Sequence, residues 1–140
     1  MSGKVFCDTN VFVYAALHVS GCEAKRATAI ALLTGALPIV VSTQVLNEFA
    51  VVLLRNRFSD ADVQSRVESI IVDCSVPLTT VDTIRLAWEI KKRYLLSYWD
   101  SLIVSSALRS GCQTLYTEDL SDGMLINDSL RIINPFAGIK

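Results

Sequence analysis

Apolar and polar residues fall in blocks along the chain, and the blocks have two lengths. Short apolar runs recur at Val5-Phe6-Cys7, Pro38-Ile39-Val40-Val41, Thr114-Leu115-Tyr116-Thr117 and Leu130 to Ile133. Runs this short and this apolar suit strands covered on both faces. Ser75-Val76-Pro77-Leu78 reads as a further short strand, and its proline suits a sheet edge. Between these runs the apolar residues recur at helical spacing. Helices are expected over Val11 to Leu17, Glu23 to Thr34, Ser42 to about Arg57, Ser59 to about Val72, Val81 to about Tyr94, and Ser97 to about Ser110. Thr9 and Asn10 read as turn and N-cap residues, and Ser42, Ser59, Thr80 and Ser97 as further caps. In the fourth helix Val63, Val67, Ile70 and Ile71 are expected to face inward. Gly35 and Gly111 mark helix stops.

Strands and helices in alternation argue for a single α/β domain with a central, mostly parallel sheet and helices on both faces. At 140 residues the chain fits one domain with a sizeable core. A charged fraction of 19% against 51% hydrophobic argues against disorder. The mean hydropathy of +0.42 is high, but the longest apolar stretch, Ala27 to Val41, is broken by Thr34, Gly35 and Pro38. It is too short to span a bilayer. Asp8 and Asn10 interrupt any signal-like apolar region, so a cytoplasmic protein with no membrane association is expected. The surplus of apolar surface suits a two-sided sheet and a subunit or partner interface.

The net charge of -1 carries no general signal of nucleic-acid binding. It hides local features. Lys91-Lys92-Arg93 is a basic run, read either as cations at a helix C-terminus or as an RNA contact. Cys7, Cys22, Cys74 and Cys112 lack metal-ligand spacing, and His18 is the one histidine, which points away from zinc. The thiols read as small packed hydrophobes.

The chemistry lies in the acids. Asp8 ends the first strand, where open parallel sheets bind ligands. Glu118 and Asp119 directly follow the strand at Thr114 to Thr117, so the strand-end carboxylate recurs. Glu48 lies in the third helix near Gln44, Val45, Val51 and Val52. It is either desolvated there and in need of a cation, or at the stripe's edge reaching water. Asp100 is three residues after Ser97, a variant capping box, and a carboxylate there can also face a metal. Four acids in one crevice would repel unless a cation joined them, and oxygen donors alone select Mg²⁺ or Mn²⁺. Neither a Ser/His/Asp set nor a glycine-rich phosphate loop is present.

These motifs together resemble the PIN-domain ribonucleases, and among them the VapC-type toxins of bacterial and archaeal toxin–antitoxin pairs. The likeness rests on Asp8-Thr9-Asn10, on Ser42 to Phe49, on Ser97 to Ile103, on Tyr116 to Gly123 and on Asn134-Pro135-Phe136. It runs over nearly the whole chain and implies a sheet of order 3-2-1-4-5. It implies Mg²⁺- or Mn²⁺-dependent hydrolysis of RNA. Asp8, Glu48, Asp100 and Asp119 would form the catalytic set, with Asp8, Asp100 and Asp119 as metal ligands. Thr9, Asn10 and Thr117 would orient them, with Asp122 in reserve for Asp119. The resemblance also implies a small antitoxin partner and a homodimer. Two other readings remain open: a receiver-type phosphoacceptor domain, and a PIN-like binding protein without catalysis.

Overall fold

The computed structural model describes residues 3–139, with six helices and five strands among them. β1 (Val5–Cys7) is the centre. Successive side chains of a strand point to opposite faces, yet all three of these are buried. Both faces of the sheet are therefore covered at this strand. β1 pairs in parallel with β2 (Ile39–Val40) on one side and with β3 (Thr114–Tyr116) on the other. β3 pairs in parallel with β5 (Leu130–Ile133), which takes β4 (Leu125–Ile126) antiparallel at the edge. Along β5, Leu130 and Ile132 are buried while Arg131 is exposed, so that edge is covered on one face only.

The order is β2-β1-β3-β5-β4, where 3-2-1-4-5 was expected. Two local differences account for this. The segment Ser75 to Leu78 contributes a single parallel bridge, Ser75 to Val40, at the outer side of β2. Val41 donates to Ser75 O at 3.0 Å and Ser75 donates to Ile39 O at 2.9 Å, and Pro77 ends the ladder for want of an N–H. At the other edge, β4 was not foreseen. It folds back on β5 through Asn127 and Asp128, whose φ values of 48° and 57° are left-handed. Asn and Asp tolerate that region best among residues with a side chain.

The helices are α1 (Thr9–Ala16), α2 (Glu23–Leu33), α3 (Thr43–Arg55), α4 (Asp60–Asp73), α5 (Val81–Tyr94) and α6 (Tyr98–Arg109). Ser42, Ser59, Thr80 and Ser97 cap α3, α4, α5 and α6 as expected. The reciprocal box forms only at α5, where Thr83 bonds back to the Thr80 amide. The Asp62 carboxylate turns to Arg66 instead, at 3.0 Å. α1 starts earlier than expected, because Asp8 and not Thr9 or Asn10 is its N-cap. α6 ends in a Schellman arrangement: Cys112 donates to Ala107 O and Gly111 to Leu108 O, with Gly111 at φ 73°.

Phe6, Leu53, Leu115, Ile126 and Ile132 fill the centre of the core. Cutting Leu115 back to Ala would cost about 2–5 kcal/mol. Of the α4 residues expected inside, Val63 and Ile70 are buried and Val67 packs against the core, but Ile71 is 41% exposed. No helix among the described residues is long and apolar enough to cross a membrane.

Candidate functional site

Every parallel strand hands its chain over at the same end of the sheet, and the acids gather there. Asp8 leaves β1 as the cap of α1. Its amide donates to Tyr116 O at 3.0 Å, which pins the end of β1 to the end of β3. Its Oδ1 accepts from Thr9 N at 2.7 Å and its Oδ2 from Thr117 Oγ1 at 2.8 Å. Only 5% of Asp8 is exposed. Burial pushes its carboxyl up to about 6; the Thr117 and Thr9 bonds oppose the rise, and the charges of Asp119 and Glu48 add to it.

The Thr117 hydroxyl is a hub. While donating to Asp8, it accepts from the Asp119 amide at 3.1 Å and from Asn10 Nδ2 at 3.4 Å. Asn10 Nδ2 also donates to Asp119 Oδ2 at 3.2 Å. Asn10 Oδ1 is buried without a donor. The Asp119 carboxyl is raised by partial desolvation against the Asn10 bond, and then by the charges of Asp100, Glu118 and Glu48.

Glu48 resolves its two readings in favour of water. It is exposed at the edge of the α3 stripe, with Val51 exposed one turn on. It is nonetheless fixed at both oxygens. Thr9 Oγ1 donates to Oε2 at 2.8 Å, and Gln44 Nε2 donates to Oε1 at 2.9 Å. The same Gln44 nitrogen reaches Trp99 O at 3.3 Å, tying α3 to the first turn of α6. Asp100 stands in that turn, its amide capped by Ser97 Oγ at 3.1 Å.

Asp8 thus feels Asp119 and Glu48, and Asp119 feels Glu48 and Asp100. The four expected acids lie within one electrostatic neighbourhood, supplied by β1, α3, α6 and the loop after β3. Thr9, Asn10 and Thr117 hydrogen-bond to Glu48, Asp119 and Asp8 respectively. Asp122 does not join. Its Oδ1 accepts from Asn134 N at 2.8 Å and holds the turn after β5.

Three further contributors had no role in the sequence-based site. Gln44 was noted only as a neighbour of Glu48, which it precedes by one helical turn. Glu118 stands beside Asp119 at the strand end, but its pairing has no local signal: Tyr14 OH donates to Glu118 Oε1 at 2.9 Å, and Lys25 Nζ lies 3.7 Å from Glu118 Oε2. A cleft of about 650 Å³ opens beside the acids, lined among others by Asn10, Glu48, Asp119, Val51, Val52 and Arg55. A second, of about 480 Å³, lies on the other side of Glu48 and is lined by Gln44, Trp99 and Leu102.

Among the described residues, no group of three or more His, Cys, Asp or Glu side chains is placed to hold a metal ion. The donor chemistry nevertheless fits a hard divalent cation. The acids are oxygen donors, the Asp8 and Asp119 carboxyls are raised by burial and by neighbouring negative charge, and Asn10 Oδ1 is a spare acceptor beside them. Among the described residues no lysine, arginine or histidine forms an ion pair with any of the four acids. His18 lies in the turn after α1, away from this end of the sheet.

The PIN domain family model matches residues 5–121. No curated protein matches the chain by sequence. Several solved structures share its fold. VapC20 of Mycobacterium tuberculosis, a sarcin–ricin-loop-cleaving toxin, is 21% identical with a TM-score of 0.63, over 82% of this chain and 91% of that one. A toxin–antitoxin complex from Klebsiella pneumoniae is 15% identical with a TM-score of 0.68, over 94% and 97%. VapBC2 of Rickettsia felis, bound to a DNA fragment from its promoter, is 18% identical with a TM-score of 0.64, over 94% and 99%.

Proposed function

Starting from the fact that the chain belongs to the PIN-domain family, we propose that it is a metal-dependent endoribonuclease, the toxin of a toxin–antitoxin pair. The observation that carries this reading is the gathering of Asp8, Glu48, Asp100 and Asp119 at one end of the sheet, where among the described residues none of them is ion-paired to a lysine, arginine or histidine. In this reading Asp8, Asp100 and Asp119 hold Mg²⁺ or Mn²⁺. A bound ion of this kind neutralises charge on a phosphate and makes water a better nucleophile. Glu48 is kept facing the cleft by Thr9 and Gln44, and each of its oxygens retains a free lone pair. It orients the attacking water and takes its proton. The water oxygen bonds to phosphorus as the P–O3′ bond breaks; Glu48 holds the water's proton and the departing 3′ oxygen takes one from solvent, so the products carry a 5′-phosphate and a 3′-hydroxyl. Thr117 and Asn10 keep Asp8 and Asp119 in place.

The partners follow from the same reading. The solved toxin–antitoxin assemblies of this fold support a small antitoxin that covers the cleft. Exposed Leu54, Ile71 and Val72 support a further protein contact, including a homodimer. In this reading the protein acts in the cytoplasm, where an RNA substrate and an antitoxin would meet it. The receiver-type reading is set aside, because it belongs to another family.

The test is cleavage of a mixed RNA substrate with Mg²⁺ or Mn²⁺ by wild type and by Asp8→Asn. Cleavage by wild type alone, abolished by EDTA, is expected. Equal cleavage by both proteins, or activity in excess EDTA, would sink the proposal; metal binding without cleavage would favour a non-catalytic PIN protein.

A further inference from the structure

Three aromatic rings form a row that the acid network does not use. Trp88 lies in α5, and Tyr98 and Trp99 open α6. The Trp88 and Tyr98 centroids are 5.0 Å apart; Tyr98 and Trp99 are 5.4 Å apart and nearly edge-on, at 70°. Trp99 is 63% exposed and Trp88 49%. The fold fixes these indoles against Tyr98 but leaves much of them to water.

Their position is specific. Trp99 directly precedes Asp100. Its carbonyl accepts from the Gln44 nitrogen that also holds Glu48. It lines the 480 Å³ cleft together with Glu48. Past Trp88, Lys91 and Lys92 follow at three and four residues, on the same side of α5. Arg93 is committed elsewhere, to Asn127 at 3.1 Å. Tyr98 thus links the Trp99 ring at the cleft to Trp88, and helical spacing puts Lys91 and Lys92 one turn beyond Trp88.

We propose that Trp99 is the base platform of this site: it stacks the unpaired base of the nucleotide beside the scissile phosphate of single-stranded RNA. Tyr98 sets the angle of the ring. Trp88 and the two lysines continue the track for the next nucleotides. The proposal rests on the ribonuclease reading and adds where the strand lies and that it is unpaired. Rings beside cations are the arrangement that holds single strands, because every base offers a π face and every linkage a negative charge. A second copy of the chain is the competing occupant. The two lysines disfavour it, since charged residues are depleted from the centres of protein interfaces.

The experiment is anisotropy binding of a short labelled RNA in EDTA, where no cleavage occurs, with one abasic position moved along the strand. Wild type should bind most weakly when the gap falls beside the scissile linkage. Trp99→Ala should bind the intact strand about 10-fold more weakly and lose that positional preference, while Trp99→Phe keeps most of both. With Mn²⁺, Trp99→Ala should raise KM more than it lowers kcat. Flat abasic profiles in wild type, or an unchanged profile in Trp99→Ala, would overturn the platform. So would a fall from dimer to monomer in Trp99→Ala with RNA affinity unaltered, since the face would then be a self-association surface. RNA bound with positional preference but never cut would fail the nuclease reading and leave the platform standing. RNA cut equally by wild type and Trp99→Ala would do the reverse, and no RNA binding at all would end both. Should Trp99→Ala fail to fold, the wild-type abasic series and Trp99→Phe decide.

Discussion

Thr117 Oγ1 donates to Asp8 Oδ2 at 2.8 Å, joining residues 109 positions apart in the chain. The bond links the ends of β1 and β3 through one hydroxyl, which also receives the Asp119 amide. Replacing Thr117 by Val keeps the shape and removes the donor. Asp8 would keep only the Thr9 amide. A hydrogen bond to a charged group contributes about 1.5–3 kcal/mol. Thr117→Val should therefore cut RNA cleavage about 10-fold or more, while Thr117→Ser stays near wild type. Steady-state kinetics on one RNA oligomer would decide, and full activity in Thr117→Val would mean that the hub is dispensable.

Asp8 destabilises the metal-free protein when it ionises. Its carboxyl lies at about 6 in the fold against 3.8 for the free side chain. As pH rises the unfolded chain loses this proton first, so the folded state holds more protons between the two values. Its contribution is thus most favourable below about pH 4 and is lost as pH rises through about 6. The full loss is on the order of 3 kcal/mol. Asp8→Asn should raise stability near pH 7.5 and flatten its fall between about pH 4 and 7, as read by urea unfolding. A variant with the wild-type slope would assign that slope to other groups.

Metal should reverse this penalty. Binding to the folded state alone stabilises by mass action, so millimolar Mn²⁺ should raise the melting midpoint of wild type. Asp100→Ala and Asp8→Asn should each shrink the rise. Thermal melts with and without EDTA measure it. An equal rise in all three proteins would place the ion elsewhere.

The thiols should be inert in proportion to burial. Cys7 is pushed up to about 12, first by burial and then by the charges of Cys74, Cys112 and Asp8. Burial takes Cys74 and Cys112 to about 11. Iodoacetamide near pH 8 should label Cys22 first and Cys7 only after denaturation, as peptide mass spectrometry would record. Early labelling of Cys7 would indicate that β1 opens.

Local rules made much of this molecule readable. The caps at Ser42, Ser59, Thr80 and Ser97 are a matter of one side chain and one amide, and all four form. The acids stood out in the sequence because each sits at an element boundary or on a helix where a carboxylate needs a reason. The failures are of reach. Whether Ser75 to Leu78 extends a ladder depends on neighbours the local sequence does not name, and Pro77 limits it to one bridge. The turn at Asn127-Asp128 was a local signal for β4 that went unread. Glu48 was judged by its apolar neighbours, yet its partners are Gln44 one turn away and Thr9 from another element. Tyr14 and Glu118 meet across 104 positions, and no spacing announces that.

Diffraction from crystals soaked in Mn²⁺, collected for its anomalous signal, reaches the central claim most directly. The expected result is a peak in the cleft within bonding distance of the Asp8, Asp100 and Asp119 carboxylates, lost in Asp8→Asn crystals. Carboxylate oxygens found turned to separate surfaces, with no peak between them at millimolar Mn²⁺, would contradict it.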